Sequence, residues 1–435
     1  MRGLDKDEVK VAQLAGFVSD KAAYHHGEAS LMGAIIGMAQ DYVGANNINV
    51  LKPNGQFGTR MKLGKDAASP RYIWTMFEAL TSKIFMSVDD PILEKQDDDG
   101  LPIEPVNYAP IIPMLLVNGA KGIGTGFSTT IPQFNPKDII TNIKNKLTKK
   151  PYVKMHPWYK GFEGEVRPKD DNSYEIYGKW EIKGDKLIIT ELPVGEGTSD
   201  YKEFLEKLLE DEPEKKDAKK KKEKKKNPFL GYSDNNTDKK VNFTLDFESG
   251  YLNKLKDLES TYHLVRKVAI SNMHLYNKNG AIQKYDTIEQ IMDEYFDVRL
   301  DLYQKRKDYL LNELENQLKL ISWKVKFILL IVEKKLEINN KKKIEIEADL
   351  QTKKFPKIDN SYNYLLTMPI YNLTNEKIEE LKKQKNEKET EFNSLVEKTP
   401  EKLWTTDLEN LEESYDKWYL LTNKKPSEIK VKKTK

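Results

Sequence analysis

With 435 residues the chain is long enough for two to four domains with ample core, and its net charge of +3 conceals heavy charging of both signs, 72 Lys and Arg against 69 Asp and Glu. Any nucleic-acid surface must therefore come from local clustering of cations rather than from global balance. The lack of cysteine excludes disulfides, a thiol nucleophile and thiolate metal sites, and fits a reducing compartment; the longest purely aliphatic or aromatic run, Phe327–Val332, falls far short of the roughly 20 residues a membrane span needs.

Composition divides the chain into three parts. Residues 1–132 are the least charged and the richest in glycine. Residues 133–285 carry short β-like runs such as Leu187-Ile188-Ile189-Thr190 and Val241-Asn242-Phe243-Thr244-Leu245. Residues 286–435 are overwhelmingly helical in pattern. The fold class that follows is mixed α/β, predominantly α. No N-terminal signal sequence is visible, so the expectation is a soluble intracellular protein.

The first predicted elements form a helix-turn-helix over Glu8–Gly44. Val9, Val11, Ala12 and Leu14 lead into Gly16, and Leu31, Ile35, Ile36 and Ala39 then keep helical spacing. Such a pair either lays its second helix in a DNA groove or simply packs. A glycine-punctuated loop follows, in which Arg60, Lys62 and Lys65 are placed to neutralise phosphates. It leads into Ala67-Ala68-Ser69-Pro70-Arg71-Tyr72, an arginine directly before a tyrosine behind a turn of small residues.

That dipeptide carries the chemistry. A tyrosine phenol has an ordinary pKa of about 10 and is a poor nucleophile at neutral pH. It needs a base or metal to take its proton and a cation to hold developing phosphate charge. Arg71 is placed to be the cation for Tyr72. His26, in Tyr24-His25-His26-Gly27-Glu28, is a candidate polar helper. For an isolated Arg-Tyr pair, an ordinary packed tyrosine is the alternative.

In Asn118-Gly119-Ala120-Lys121-Gly122-Ile123-Gly124-Thr125-Gly126, no Gly-Lys-Ser/Thr closes a P-loop and the Rossmann spacing is absent. One aliphatic side chain, Ile123, stands between glycines. It is either a wedge of the kind that enters a base step and kinks a duplex, or a core residue of a tight hairpin or strand-crossing. Asp89-Asp90 and Asp97-Asp98-Asp99-Gly100 fit solvated turns better than ion sites, so no metal site is expected from this chain. A lysine-rich block from Glu212 to Asn227, within an insertion of about 212–240, reads as a disordered surface loop, with a nuclear-localisation signal or a DNA-contacting loop as the alternatives. The basic tail, Lys424–Lys435, reads as frayed.

The clearest structural expectation is a long helix from about 287 to 340, reaching roughly 80 Å. Ile288, Ile291, Tyr295, Val298 and Leu302, then Leu314, Leu318, Ile321, Val325, Ile328 and Val332, keep 3-4 spacing, and so long a helix needs a partner helix. Thr374 is placed to cap a second helix running to about Val396, with Leu373 and Ile378 as its hydrophobic staple. Between the two arms lies an apolar block, Phe355–Leu373, holding Tyr362, Tyr364, Leu365, Leu366 and Tyr371. An antiparallel coiled coil with such a knob implies a protein contact at its tip, unless the block is only core.

Taken together, Glu8–Leu14, Tyr24–Glu28, Phe57–Arg60, Gly64–Ile73, Asn118–Gly126, Pro157–Phe162, Ser271–Met273, Tyr303–Lys307 and Leu403–Leu408 resemble the breakage–reunion part of a type IIA DNA topoisomerase of the eukaryotic kind. The bacterial gyrase tyrosine block reads differently. The resemblance implies a winged-helix DNA-binding and cleavage domain over 1–132 and an α/β tower over 133–285. It further implies a coiled coil with a small helical exit-gate domain over 286–435, whose knob makes a homodimer. By the same resemblance Tyr72 attacks double-stranded DNA to give a 5′-phosphotyrosyl link and a free 3′-hydroxyl. Arg71 then stabilises the scissile phosphate, His26 assists, and Ile123 bends the duplex. His25, Lys10, Arg60, Lys62 and Lys65 are the further DNA contacts.

Relatives carry an ATPase region, a Mg2+-binding acidic domain and further winged-helix segments before the position of Glu8. The expectation is therefore an excised piece or partial product of a nuclear, ATP- and Mg2+-dependent enzyme. Alone, such a piece is weakly active or inactive; the alternative is a DNA-binding and dimerising gate scaffold without chemistry. A coiled-coil protein of the chromosome-organising kind would leave 1–132 unexplained.

Overall fold

The computed structural model describes residues 4–124, 126–210 and 228–422. Strand β1 (Val9–Lys10) leads straight into α1 (Val11–Lys21), and α2 (Glu28–Ala39) follows after a short turn. Val11, Leu14 and Ala15 of α1 and Leu31, Ile35 and Ala39 of α2 fall on single helical faces and are buried together. Leu51, Phe57 and Ile73 complete this core, so the loop after α2 is anchored in the helix pair. Gly16 does not end the first helix; it lies inside α1.

Strand β2 (Trp74–Thr75) pairs antiparallel with β1, with Lys10 opposite Trp74 and Val9 opposite Thr75. Then come α3 (Thr81–Ile84), the hairpin β3 (Lys95–Asp98) and β4 (Leu101–Pro105), and α4 (Met114–Asn118). A second hairpin joins β5 (Ala120–Gly124) to β6 (Phe127–Ile131), and α5 (Pro136–Leu147) begins with its proline in the first turn, capped by the Asn135 side chain.

Two sheets follow. Strands β7 (Glu165–Asp170) and β8 (Ser173–Tyr177) pair with the later β13 (Val265–Ala269) in the order β13-β8-β7. Strands β9 (Lys179–Lys183), β10 (Lys186–Glu191), β11 (Phe229–Asp234) and β12 (Phe243–Phe247) form an antiparallel sheet in the order β11-β12-β10-β9. Alternation along β10 and β12 puts Leu187 opposite Leu245 and Ile189 opposite Phe243, all buried. Tyr201 and Leu205 of α6 (Thr198–Leu209) cover that face. The lysine block of 212–227 lies outside the described residues. The loop expected to continue to about 240 instead gives way to strand β11, because Phe229 belongs to the sheet core. Helix α7 (Leu258–Thr261) and the hairpin β14 (Met273–Tyr276) and β15 (Ile282–Tyr285) lead to α8 (Ile288–Val332).

The chain divides into two compact units: one runs to Arg299 and resumes at Thr405, and the other is Leu300–Trp404. The composition shifts near 132 and 285 do not mark these boundaries. Helix α8 has 45 residues, about 67 Å, and stops before the expected 340; Lys334 then takes a left-handed backbone conformation. In the second unit, α9 (Lys343–Thr352), α10 (Asn363–Leu366) and α11 (Asn375–Glu397) follow. The Thr374 side chain accepts from the Lys377 amide, capping α11. Phe327 and Ile328 near the end of α8 share a core with Ile378 and Leu381 near the start of α11, while Lys307 Nζ donates to the Val396 carbonyl. The two helices are thus antiparallel, as the coiled-coil pattern requires.

Ile288 and Ile291 at the start of α8 are buried as expected, but beyond them the buried seam is displaced from the one expected. Val298 is exposed, and Met292, Phe296, Arg299, Tyr303 and Arg306 face inward at 4-3-4-3 spacing. An apolar count misses this seam because two of its five positions are arginine. Arg299 donates to Asp89 and to the Ala109 carbonyl, and Arg306 lies 4.3 Å over the Tyr303 ring. Val332, expected to close the apolar stripe, is also exposed. In the knob, Phe355, Tyr362 and Leu365 are core, whereas Tyr371 is exposed. Helix α12 (Pro400–Thr422) has its later part in the first unit, where Lys144 pairs with Glu412 and Lys137 with Asp416.

Candidate functional site

The segment carrying Tyr72 is built as a cap. Helix α1 has no side-chain cap at its N-terminus, and the first amides of any helix lack intrahelical partners. Here the Val11 and Ala12 amides donate to the Ile73 and Pro70 carbonyls, at 3.1 Å each. The Tyr72 amide closes a turn on the Ser69 carbonyl at 2.9 Å. Ile73 is buried, which contributes about 1.5–3 kcal/mol and clamps the turn from one side. Tyr72, one residue earlier, points the other way and is 77% exposed. Its hydroxyl has no hydrogen-bond partner among the described residues, and Arg71 beside it is exposed.

The loop before the turn is held as firmly. The Ala68 amide donates to the Gln56 carbonyl, and Gln40 Nε2 donates to the Phe57 and Gly64 carbonyls. The Thr59 hydroxyl and amide both donate to Asp66, at 2.5 and 2.8 Å. Burial pushes the Asp66 carboxyl up, but the Thr59 bonds, with Lys62 nearby, outweigh it and hold the group below its ordinary value. Gly58 has φ +101°, and a Cβ there would lie 2.5 Å from the Gly64 backbone, so the two strands of the loop touch where only glycine fits.

The predicted site residues fall into two groups. Lys62, Lys65 and Arg71 are exposed on this loop, and His25 and His26 are exposed in the turn before α2, with the His26 ring edge-on to Tyr24. Lys10 lies on β1 opposite Trp74, its ammonium 5.4 Å over that ring. Arg60 departs from expectation. It is turned inward, ion-paired with Glu191, and donates to the Leu192 carbonyl at 2.6 Å. The Arg60 and Glu191 side chains are only 7% and 6% exposed, so Arg60 offers no cation to a phosphate. Helix α2 also departs from a basic recognition helix: its exposed face is Ser30, Gly33, Ala34, Gly37 and Met38, and the helix contains no Lys or Arg. The cations here come from the loop.

Ile123 sits on β5, opposite Ser128 of β6, and is 89% exposed. The hairpin alternative is correct in backbone, but the side chain is not in a core. Sequence reasoning missed Asn47, which joins several of the recognised blocks. Fully buried, it donates to the Val117, Phe134 and Trp158 carbonyls and accepts from the Lys160 amide. The run Ala45-Asn46-Asn47-Ile48-Asn49 was the only trace of it. Lys160 is buried too, its ammonium 4.6 Å over the Trp418 ring, and burial lowers its pKa. Among the described residues no three His, Asp or Glu side chains gather as a divalent ion would need.

Comparison with known proteins places this geometry. The family of DNA gyrase/topoisomerase IV A-type subunits matches residues 1–409. DNA topoisomerase 2 of Acanthamoeba polyphaga mimivirus is 42% identical over 95% of this chain and 38% of its own length. The Plasmodium falciparum enzyme is 41% identical over 94% of this chain and 31% of its own. The chain thus spans about a third of the length of these curated relatives. The crystal structure of the Plasmodium falciparum topoisomerase II DNA-binding, cleavage and re-ligation domain superposes with a TM-score of 0.87 at 41% identity, covering 97% of this chain and 60% of that one. With a family match over nearly its whole length and a fold that superposes end to end, the chain belongs to the DNA gyrase/topoisomerase IV family of A-type subunits, in the likeness of the cleavage and re-ligation region of eukaryotic topoisomerase 2.

Proposed function

We propose that this chain is the DNA breakage–reunion core of an ATP-dependent type II topoisomerase, with Tyr72 as nucleophile. The observation that carries the reading is a phenol held 77% exposed beside an exposed arginine, on a turn hydrogen-bonded at both flanks to α1. A nucleophile on a pinned turn has little orientational freedom left to lose when a phosphodiester docks. The Tyr72 hydroxyl gives up its proton as its oxygen attacks phosphorus, forming a 5′-phosphotyrosyl bond while the bond to the 3′-oxygen breaks, so that one proton is lost at the phenol for the one gained at the leaving oxygen. The departing 3′-oxygen leaves as a hydroxyl, having taken up a proton, and Arg71 stabilises the charge that builds on the phosphoryl oxygens. His26 assists by hydrogen bonding. Resealing is the reverse exchange of one phosphodiester for another, so it needs no fresh energy source. Passage of a second duplex through the paired breaks changes supercoiling and resolves catenanes.

The duplex is bound through His25, Lys10, Lys62 and Lys65, with Ile123 as a wedge that bends it. Residues 1–132 act as a winged-helix cleavage domain, 133–285 as a tower, and 286–435 as the arm and exit gate, with a homodimer made through about 355–373 and its flanking helices. Mg2+ and ATP serve the longer parent enzyme, through segments other than these, and the nucleus is the proposed location. The test is an adduct assay. The chain is mixed with a metal-binding fragment of a relative, Mg2+ and end-labelled supercoiled DNA, then denatured. Protein-linked 5′ ends that vanish in Tyr72→Phe are expected. An adduct that survives Tyr72→Phe refutes the assignment.

A further inference from the structure

Ile123 is the most exposed large apolar side chain among the described residues, yet the glycines beside it lend it no packing. At Gly122, Gly124 and Gly126 a Cβ would meet nothing within 4 Å. A wedge on a loose tip folds aside instead of parting a base step, which costs a few kcal/mol to unstack. Stiffness must come from elsewhere, and the structure holds a source of it in strand β14 and the residue just before it.

The residue directly across the ladder from Ile123 is Ser128, and Ser128 is gripped twice. Asn272 Nδ2 donates to Ser128 Oγ at 2.8 Å, and His274 Nδ1 lies 3.2 Å from the Ser128 carbonyl oxygen and 3.0 Å from Asn272 Oδ1. Both of those oxygens are acceptors, so Nδ1 carries the hydrogen. Two residues on, the Thr130 amide donates to the Asn272 carbonyl at 2.8 Å, and the His274 ring sits 5.4 Å from that of Phe127. We infer that Asn272 and His274 are positioning residues that brace the β5–β6 hairpin through Ser128 and so hold Ile123 at the angle from which it bends DNA. This rests on the wedge reading of Ile123, and the test separates the two.

Stiffness is read without DNA, by amide hydrogen exchange of residues 119–132 in the full chain. Asn272→Ala removes both side-chain hydrogen bonds of Asn272, to Ser128 Oγ and from His274 Nδ1, and is expected to speed exchange about tenfold. His274→Phe, which keeps a ring against Phe127 and loses the Nδ1 donor, should act in the same direction. Ser128→Ala, on an exposed residue whose loss spares the core, should repeat the effect, and Ser128→Thr, which keeps the hydroxyl, should restore it. Bending is then read by energy transfer across an end-labelled duplex, with affinity titrated separately. The bent fraction should fall severalfold in the Asn272 and His274 variants and in Ile123→Ala, with affinity held within about twofold. Unchanged exchange overturns the brace while leaving the wedge standing. Faster exchange with normal bending, where Ile123→Ala has lost it, overturns the link between them. Normal bending in Ile123→Ala overturns the wedge itself and the brace's purpose with it.

Discussion

Arg60→Met decides whether a cation in the cleavage loop serves DNA or the fold. The Arg60 guanidinium and the Glu191 carboxylate are both nearly out of water. Glu191 also accepts from the Leu192 amide at 2.9 Å and the Glu163 amide at 3.3 Å. Burial pushes the Glu191 carboxyl up, against the pull of Arg60 and those amides. Removing one partner of such a pair leaves an uncompensated buried charge, at a cost of about 3–5 kcal/mol. At roughly 2 °C per kcal/mol for a cooperative unit of a few hundred residues, that is a fall in melting temperature of about 6–10 °C. The loss depends on pH. Without Arg60 the folded-state pKa of Glu191 rises further above its unfolded value, so stability is retained below the unfolded value and lost as pH climbs through the folded one. Arg60→Met should therefore melt closer to wild type near pH 5 than near pH 8. Glu191→Gln should show no such recovery, because the arginine left behind cannot shed its proton. The double variant should cost less than the sum of the singles. Melting curves across pH, with duplex titrations over a salt series, make the check. Wild-type melting together with a salt slope reduced by about one would return Arg60 to the DNA surface and refute this argument.

Arg71→Ala should abolish adduct formation while leaving weak duplex binding largely intact; equal loss of both in the adduct and binding assays would sink its role at the scissile phosphate. Ile123→Ala should reduce bending more than affinity, read by energy transfer across the bound duplex. The Thr59–Asp66 clasp has a pH signature of opposite sign to that of Glu191. The Asp66 carboxyl is held below its ordinary value, so its contribution is complete above about pH 4, the unfolded value, and is lost as pH falls through the lower folded one. The stability advantage of wild type over Asp66→Asn should be flat at higher pH and shrink in acid, and an advantage that does not change with pH would refute the clasp.

What was legible in the sequence follows how far apart the interacting residues lie. The Tyr72 turn, the Thr374 cap and the strands of the β10–β12 pair are set by neighbours within a few positions, through turn chemistry, capping and alternation. Arg60 was misjudged because its partners lie far along the chain, with the Leu192 carbonyl 132 residues away. A lysine or arginine in a glycine-rich loop looks the same in sequence whether it faces a phosphate or a buried glutamate. Between Ile291 and Leu314 the expected α8 seam failed for a related reason, while Ile288, Ile291, Leu314 and Ile328 are buried as expected. Apolar counting finds Tyr295, Val298 and Leu302, one step round the helix from Arg299 and Tyr303, because it scores arginine as surface. Arg299 is at home in the interior only once Asp89 and the Ala109 carbonyl are brought to it.

The same logic bears on the nucleophile. A buried tyrosine hydroxyl usually finds a partner, and in this chain Tyr201 donates to the Tyr262 carbonyl and Tyr295 to that of Pro110. The shared core of α1, α2 and the loop claims Ile73 and Phe57 and leaves Tyr72 outside. The phenol hydroxyl has no partner among the described residues, and the turn beneath it is fixed by main-chain bonds that any residue but proline at position 72 would keep. Tyr72→Phe should therefore fold and bind as wild type does. A matching melting curve makes loss of the adduct a statement about chemistry alone. A large drop in melting temperature would mean that the hydroxyl is a structural group, and the reading of Tyr72 as the reacting residue would lose its physical basis.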